Sequence, residues 1–275
     1  MSCKKQDKKQ EPEKQEAEEA KSGEQEPEES KAKTRKQKNM KILIIPDVHL
    51  NHFMFDWASD LMNKGIADRA VCLMDIADDW GKQYERDLYI QSYDAAIRFA
   101  KEYPDTLWCY GNHDISYLWS RTESGFSWFA QKIVQNKMQE LKEALPDERQ
   151  LAYLHRIDNV LFSHGGLADG FVRNFVSPGK NNNIDAVVET INGFGANEMW
   201  NDWSPIWYRP QHYKGKMYKP RKLLQVVGHT PVKFIFQQGN VLSCDVFSRN
   251  RSGKSIGTEE FPVLDTLTWE YEGVR

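Results

Sequence analysis

Short apolar runs, each followed by polar or glycine-rich residues, set the hydrophobic pattern of the chain from residue 41 onward. The first run, Lys41–Ile45, holds four consecutive aliphatic residues, which is typical of a strand buried on both faces. Pro46 ends this strand, because proline has no N–H to donate to a sheet. The same pattern predicts further buried strands at 70–74, 106–110 and 223–227.

Helices are predicted where apolar residues recur three or four positions apart. Residues 53–64 and 84–103 show this spacing, and the second segment stops before Pro104. Because these two helices separate the first three strands, the order predicts right-handed crossovers and a parallel sheet. Residues 115–145 also show helical spacing, and a short helix is predicted at 185–191.

The other strands are predicted to pair with their neighbours along the chain. Residues 151–154 and 159–162 form one expected pair around a turn at Asp158-Asn159. An antiparallel meander is expected at 232–237, 240–247 and 262–270, with Gly239-Asn240 as a hairpin turn. The predicted fold class is therefore α/β, with two packed sheets, helices outside them and the polar loops gathered along one edge.

The first 39 residues differ in composition from the rest of the chain. They contain no aromatic residue and no Ile, Leu or Val, and Pro12 and Pro27 interrupt runs of Lys, Glu and Gln. Such a segment cannot bury enough apolar area to offset its ordering entropy, so we expect a disordered tail over 1–39 and one folded domain over 40–275. The net charge of −3 and the lack of a basic patch predict no double-stranded nucleic acid partner.

Membrane and redox signals are weak. No apolar run is long enough to span a bilayer and no hydrophobic signal region follows Met1, so we expect a cytoplasmic protein without a membrane span. The Lys-, Gln- and Glu-rich stretch after Cys3 resembles the start of a mature lipoprotein, which leaves a lipid anchor at Cys3 as the alternative. The remaining cysteines lie in apolar runs without CxxC spacing and are expected to be buried, reduced thiols: Cys72, Cys109 and Cys244.

Residues of the types that bind metals follow the strand-like runs within a few positions, most of them beside a glycine. They are Asp47, His49, Asp75, Asn112, His164 and His229. Oxygen and imidazole ligands without thiolate suit Mn, Fe, Zn or Co rather than Ca. A single histidine after a strand is more often a core or surface residue, which we expect for His52, His155 and His212. Five loops with the same pattern instead point to one shared site.

The order and spacing of these loops resemble a known family. The motifs are Asp47-x-His49, Asp75-x-x-Asp78, Gly111-Asn112-His113-Asp114, His164-Gly165-Gly166 and Gly228-His229-Thr230-Pro231. Over residues 41–250 they resemble the calcineurin-like metallophosphoesterase superfamily, and most of all its phosphoprotein phosphatase branch with bacterial and phage members. This resemblance implies a four-layer sandwich of two packed mixed sheets flanked by helices.

The resemblance also implies a two-metal site. Asp47, His49 and Asp75 would hold one divalent ion, and Asp75 would bridge to a second. The second ion would be completed by Asn112, His164 and His229. Two such ions need a shared carboxylate to offset their repulsion, and they activate a hydroxide for attack on a phosphomonoester. We expect Mn first, with Fe, Zn or Co as alternatives.

Further roles follow from the same likeness. His113 would donate a proton to the leaving group, and Asp78 would orient the His113 ring rather than only cap a helix. Arg209 resembles the second phosphate-binding arginine of the family, and Asn112 would also contact the phosphate. These assignments make His113 and Asp78 the expected catalytic pair.

Three positions depart from the family pattern. Leu50 and Met74 stand where the family has glycine, and Asp79 stands where it has a phosphate-binding arginine. A carboxylate at that position repels a phosphate dianion, so we expect either another cation in its place or an unusual substrate.

Three functions compete. A phosphorylated protein is the first expected substrate, as for a serine/threonine phosphatase. A nucleotidase or dinucleoside polyphosphate hydrolase is the alternative, with the Trp-rich loop 199–213 stacking a base. A binding module without catalysis ranks last, because all six ligand types and His113 are present.

Overall fold

The computed structural model describes residues 39–275 and consists of two mixed β-sheets with helices on their outer faces. The charged tail up to residue 38, Cys3 included, lies outside this range, so the prediction of disorder and the alternative of a lipid anchor stay predictions. Within the described range no helix is long and apolar enough to cross a membrane.

The strands are β1 (Lys41–Ile45), β2 (Arg69–Cys72), β3 (Leu107–Cys109), β4 (Leu151–Ala152), β5 (Leu154–Ile157), β6 (Val160–Ser163), β7 (Leu224–Val227), β8 (Phe236–Gln238), β9 (Val241–Ser243), β10 (Phe261–Asp265) and β11 (Tyr271–Val274). The helices are α1 (Phe53–Asn63), α2 (Arg86–Glu102), α3 (Asn112–Leu118), α4 (Gln131–Ala144), α5 (Asp169–Phe175), α6 (Ile184–Asn192) and α7 (Ala196–Met199).

The predicted parallel unit is confirmed. Strand β1 pairs in parallel with β2, and β2 pairs in parallel with β3, with α1 and α2 as the crossovers. The first sheet has the order β11-β10-β1-β2-β3-β4, and the second has the order β5-β6-β7-β9-β8. In the second sheet β6, β7 and β9 are also parallel, so the loops after these strands leave from one edge.

Strand β1 is buried on both faces, as its aliphatic run predicts. Leu43 and Ile45 belong to the core cluster between the first sheet and helices α1, α2 and α4. Ile42 and Ile44 face the other way and pack with residues such as Phe162 in the layer between the two sheets. A third cluster lies between the second sheet and helices α5 and α6. This gives the expected four layers, and the three described cysteines are buried and free.

The predicted strand pair at 151–154 and 159–162 is only partly right. Strand β4 joins β3 in the first sheet, and the chain changes sheet at Tyr153, so that β5 pairs antiparallel with β6 in the second. The burial pattern gives the reason, because Leu151 lies in the helix-side cluster of the first sheet and Leu154 in that of the second. One apolar run thus serves two cores.

The predicted meander is wrong for its last strand. The hairpin at Gly239-Asn240 is confirmed by β8 and β9, but β10 returns to the first sheet and pairs antiparallel with β1. Phe261 and Val263 complete the helix-side cluster of that sheet, while Leu264 lies in the layer between the sheets. A strand with both faces buried fits beside β1 rather than at an edge.

The helical segment predicted at 115–145 is two helices. Helix α3 begins earlier, at Asn112, and the chain turns at Ser120, whose φ is 52°. A loop follows, and α4 begins at Gln131. The sequence prediction continued a single helical periodicity across this turn. Helices α5 and α7 were not predicted.

His155 is a buried core histidine, as expected. We predict from its burial that the folded state loses stability in acid. Its Nε2 lies 3.1 Å from the carbonyl oxygen of Trp108, and burial lowers the pKa of His155 to about 4. The unfolded chain, with a histidine pKa of about 6.5, therefore takes up this proton first as the pH falls. Between about pH 6.5 and pH 4.5 the free energy of unfolding should fall by about 2 to 3 kcal/mol because of this group.

Urea unfolding of wild type and His155→Gln at pH 7 and pH 4.5, with chelator present, tests this expectation. The wild type should lose more stability on acidification than the variant, which lacks the titrating ring. His212→Gln, at an exposed histidine, should behave like wild type. A free-energy difference between wild type and His155→Gln that does not change with pH contradicts the prediction.

Candidate metal centre and active site

The six predicted ligands lie together at the edge where the parallel strands of both sheets end. Asp47 and His49 follow β1, Asp75 follows β2, and Asn112 follows β3. His164 and His229 follow β6 and β7 of the second sheet. The structure brings all six together, and their role as metal ligands stays a prediction.

The loops after β1 and β2 continue the parallel pairing of their strands. The amide of Val48 donates to the carbonyl of Met74 (3.0 Å), that of His49 to Asp75 (2.8 Å), and that of Leu50 to Ile76 (3.0 Å). These bonds fix the backbone from which the side chains of His49 and Asp75 project. The two loops therefore act as one rigid support.

The two positions where the family has glycine both have left-handed backbone. The φ of Leu50 is 60° and that of Met74 is 56°. For a residue with a Cβ this conformation costs roughly 1–2 kcal/mol. Both side chains are buried in the core, however, and burial of a Leu or Met side chain stabilises by about 1.5–3 kcal/mol. The departure from glycine is thus offset by core packing.

Asp75 lies between two groups of donor atoms. Donor atoms of Asp47, His49 and Asp75 lie within 4.8 Å of one another, and so do those of Asp75, His164 and His229. Asp75 is the member that both groups share. This is the arrangement that a carboxylate bridging two ions requires.

The second group converges on Nε2 of His164. This atom lies 3.1 Å from Oδ2 of Asp75, 3.0 Å from Oδ1 of Asn112 and 3.1 Å from Nδ1 of His229. The Nδ1 of His164 donates to the carbonyl of Leu73 at 3.0 Å, so Nε2 is the ring nitrogen that faces these atoms. A proton or a metal ion at this point would satisfy them.

The buried carboxylates and the unpaired polar atoms of the candidate metal site suit two bound cations. Oδ1 of Asp47 and Nε2 of His229 are buried and form no hydrogen bond with any residue of the described range. Burial, with Asp245 and Asp75 nearby, raises the pKa of Asp47 to about 7. Burial lowers the pKa of His164, but Asp75 and Asp47 together raise it to about 9. Divalent ions would satisfy these carboxylates in place of protons.

Two glycines allow the carboxylates of Asp75 and Asp47 to lie directly against the backbone of neighbouring loops. A Cβ on Gly111 would lie 1.9 Å from Oδ1 of Asp75, and a Cβ on Gly228 would lie 1.9 Å from Oδ1 of Asp47. Any larger residue at either position would displace a carboxylate. The glycines of the Gly111-Asn112 and Gly228-His229 motifs are thus required by the site itself.

His113 is paired with Asp78 at the start of α3. Its Nδ1 lies 3.0 Å from Oδ2 of Asp78, while Oδ1 of Asp78 accepts from the hydroxyls of Tyr89 (2.8 Å) and Tyr117 (2.5 Å). Burial lowers the pKa of His113, but Asp75 and Asp78 raise it to about 9. A protonated ring with its Nδ1 held in this way can donate from Nε2.

Arg209 lies at the same cavity. Its Nη1 donates to the carbonyl of His229 and to Oγ1 of Thr230, the latter at 3.3 Å. Burial lowers the pKa of Arg209, and the carboxylates of Asp47 and Asp75 oppose this. A guanidinium close to these carboxylates can contact an anion bound between them.

Two buried carboxylates were not predicted. Asp245 follows β9 as Asp47 follows β1, and it accepts from the backbone (3.3 Å) and hydroxyl (3.0 Å) of Ser248. The strand-end pattern was present in the sequence, but the predicted strand at 240–247 ran through it. Asp114 accepts from Ile76 (3.0 Å) and from Tyr93 (2.7 Å), and so holds the loop that carries Asp75.

The donor groups open into a cavity of about 430 Å³. His49, Asp75, Asn112, His113, Arg209 and His229 line it, together with Asp78, Asp79, Trp80, Asp245, Arg249 and Arg251. Of the Trp-rich loop 199–213, only Arg209 takes part in this lining. The tryptophans of that loop therefore do not provide a base-stacking wall here.

The family model of calcineurin-like phosphoesterases matches residues 40–248. A protein-tyrosine phosphatase of a psychrophilic Shewanella sp. has a similar structure, with 18% identity over 86% of this chain and 80% of that chain and a TM-score of 0.52. A metallophosphoesterase from Sphaerobacter thermophilus aligns at 14% identity over 86% and 89%, with a TM-score of 0.39.

No curated protein matches the chain. At these identities the similarity to solved structures concerns the fold alone. The family model, in contrast, covers all five motif loops. The chain belongs to the calcineurin-like phosphoesterase family and is a metal-dependent phosphoester hydrolase.

Proposed function

We propose that the protein is a two-metal phosphomonoesterase whose first candidate substrates are phosphoserine and phosphothreonine in proteins. The observation that carries this proposal is the shared position of Asp75 between two donor groups, with the His113–Asp78 pair beside it. One group of ligands alone would favour a single ion. The shared carboxylate instead favours two ions, which suits attack on a phosphoryl group.

In the proposed reaction each residue of the chain has one task. The six predicted ligands would hold the two ions, which would supply an activated water and neutralise charge on the phosphoryl oxygens. Arg209 contacts the phosphoryl oxygens and orients the ester. His113 donates a proton from Nε2 to the leaving oxygen, so that the product leaves as an alcohol. Asp78 holds Nδ1 of His113 and stabilises the charged ring until the proton is transferred.

The donor set also bears on the metals. Asp47, His49 and Asp75 offer two carboxylates and one imidazole, and the second group adds an amide and two imidazoles. This mixture of oxygen and nitrogen suits Mn first, with Fe, Zn or Co as alternatives.

A nucleotide is the second candidate substrate. Trp80 lines the cavity and 43% of its surface is exposed, so the part of its ring that Arg251 does not cover is available to a base. In this alternative Trp80 would stack on the base, and not the loop 199–213 from which stacking was first expected.

A substrate panel tests the proposal. The metal-depleted protein is loaded with Mn²⁺ and assayed on p-nitrophenyl phosphate, its bis ester, phosphoserine, phosphothreonine and phosphotyrosine peptides, and diadenosine tetraphosphate. Preference for the phosphoserine and phosphothreonine peptides is expected. Faster cleavage of diadenosine tetraphosphate would favour the nucleotide alternative. Cleavage of only the bis ester would contradict a monoesterase.

Arg209→Lys tests the contact with the phosphate. A guanidinium binds two phosphate oxygens at once, whereas an ammonium offers only a point charge. We expect kcat/KM for p-nitrophenyl phosphate to fall about tenfold to a hundredfold. Arg221→Lys, at an exposed arginine outside the cavity lining, is the matched control and should match wild type. Steady-state kinetics that do not distinguish Arg209→Lys from wild type would remove Arg209 from the phosphate site.

A further inference from the structure

Two arginines of the cavity have no task in the proposed reaction. Arg249 and Arg251 lie on the loop 248–256, which we call the arginine loop, and both line the cavity that holds the metal ligands. Their side chains rest on aromatic rings: the guanidinium carbon of Arg251 lies 4.8 Å from the ring centre of Trp80, and that of Arg249 lies 5.8 Å from that of Phe53. Within residues 39–275 neither forms a salt bridge with a carboxylate.

The arginine loop is held in shape by its own hydrogen bonds. Arg249 and Ser255 form an antiparallel bridge, and Oδ1 of Asn250 accepts from the amides of Ser252 (3.0 Å) and Lys254 (3.1 Å). At its start, Ser248 donates to the carboxylate of Asp245. The two guanidinium groups are therefore carried by a fixed turn that is attached to the metal side of the cavity.

Asp79 and Trp80 line the same cavity as the arginine loop. Oδ1 of Asp79 accepts from the amide of Trp80 at 2.7 Å, which fixes the backbone that carries the indole under Arg251. Burial raises the pKa of Asp79, and the positive charges of His49 and Arg249 oppose that rise. The carboxylate in the family's arginine position thus lies within electrostatic reach of an arginine from another part of the chain.

Two arginines of the cavity lie at different depths. Arg209 donates to the carbonyl of the predicted ligand His229, which places it at the metal end. Arg251 and Trp80 are exposed, which places them at the mouth. The other carboxylates of the lining, Asp75, Asp78 and Asp245, are buried. The more exposed part of the lining therefore carries the guanidinium groups of Arg249 and Arg251 against the single carboxylate of Asp79. A phosphate held at the metals would leave this positive region free for another anion.

We propose that Arg249 and Arg251 form a second anion subsite at the mouth of the cavity, and that the preferred substrate carries a second anionic group beyond the phosphate that is hydrolysed. Asp79 and Trp80 position this subsite. The inference rests on the proposed phosphomonoesterase function and adds a substrate class to it. It also accounts for Asp79, which serves the outer subsite instead of binding the reacting phosphate.

Alkanediol phosphates test the subsite without other recognition elements. Bisphosphates with two to six methylene groups are compared with the matching monophosphates by release of inorganic phosphate from the Mn²⁺-loaded protein. A bisphosphate has two equivalent phosphates, so its kcat/KM is twofold higher on statistical grounds alone. We expect kcat/KM for the best spacer length to exceed that of the monophosphate by about tenfold to a hundredfold, the usual effect of one charged contact.

The double variant R249A/R251A should reduce this preference to about twofold. Lys254→Ala removes a positive charge from the same loop but not from the cavity lining, and it should keep the preference of wild type. A preference that persists in the double variant, or a wild type that does not distinguish the two esters, overturns the subsite and leaves the phosphomonoesterase assignment intact.

A wild type that cleaves neither ester contradicts the proposed function instead. The subsite is then decided by calorimetry with butane-1,4-bisphosphonate and butylphosphonate. Tighter binding of the bisphosphonate to wild type, lost in R249A/R251A, supports it, and equal binding of the two compounds overturns it.

Discussion

Asp75→Asn should lose both bound ions and at least about a thousandfold in kcat, since the metals supply several kcal/mol of transition-state stabilisation. Asp75 belongs to both donor groups, and its Oδ1 accepts from the amide of His113 at 2.9 Å while Oδ2 faces His164. Asparagine keeps the size of the side chain but removes its negative charge. Without that charge, two cations held a few ångströms apart repel each other with nothing between them.

Metal content per chain, measured by elemental analysis after Mn²⁺ loading and desalting, is the direct readout for Asp75→Asn. Asp56→Asn removes an exposed carboxylate from α1 and should retain the metal content and turnover of wild type. Thermal unfolding of both variants checks that the fold is kept. Two ions and normal turnover in Asp75→Asn would show that Asp75 is not the bridge.

His113→Ala should keep its ions but lose about 10²- to 10⁴-fold in kcat, which is the usual contribution of a positioned general acid. Two interactions place the ring: the carboxylate of Asp78 at Nδ1, and an edge contact with His49 at 5.4 Å between ring centres. Among residues 39–275, neither His113 nor Asp78 belongs to a donor group with three members. The loss should therefore concern proton transfer and spare the metals.

The dependence on the leaving group separates this role from a structural one. Nitrophenolate leaves without a proton, whereas an alkoxide needs one, so the loss in His113→Ala should be larger for an alkyl phosphate than for p-nitrophenyl phosphate. His212→Ala, at an exposed histidine, is the control and should match wild type on both esters. Equal losses on the two esters would exclude His113 as the proton donor.

The parts of the fold that depend on local periodicity could be predicted from the sequence. The unit β1-α1-β2-α2-β3 and the ligand loops at its strand ends follow from runs of a few residues and from the residues that end them. These signals are local, because a buried strand and its polar exit are neighbours in the chain. The six predicted ligands could be picked out for this reason.

The parts that depend on pairing between distant segments could not be predicted. Nothing within the run at 151–154 marks Tyr153 as the point where the chain changes sheet, and β10 pairs with β1 from the far end of the domain. Asp245 was missed because a strand was extended across it. For the position of Asp79 the sequence predicted another cation in place of the arginine or an unusual substrate. That the charge of Arg249 acts on Asp79 depends on the fold, and no local pattern contains it.

Metal uptake by this chain should begin from ligands that are already in place. Leu50 and Met74 anchor the loops of His49 and Asp75 in the core, so neither loop can move without exposing an apolar side chain to water. The conformational entropy of ordering a loop, about 1–2 kcal/mol per residue, is then lost during folding and not when an ion binds. Ion affinity is accordingly not reduced by that cost, and the ligands keep their geometry while one ion is exchanged for another.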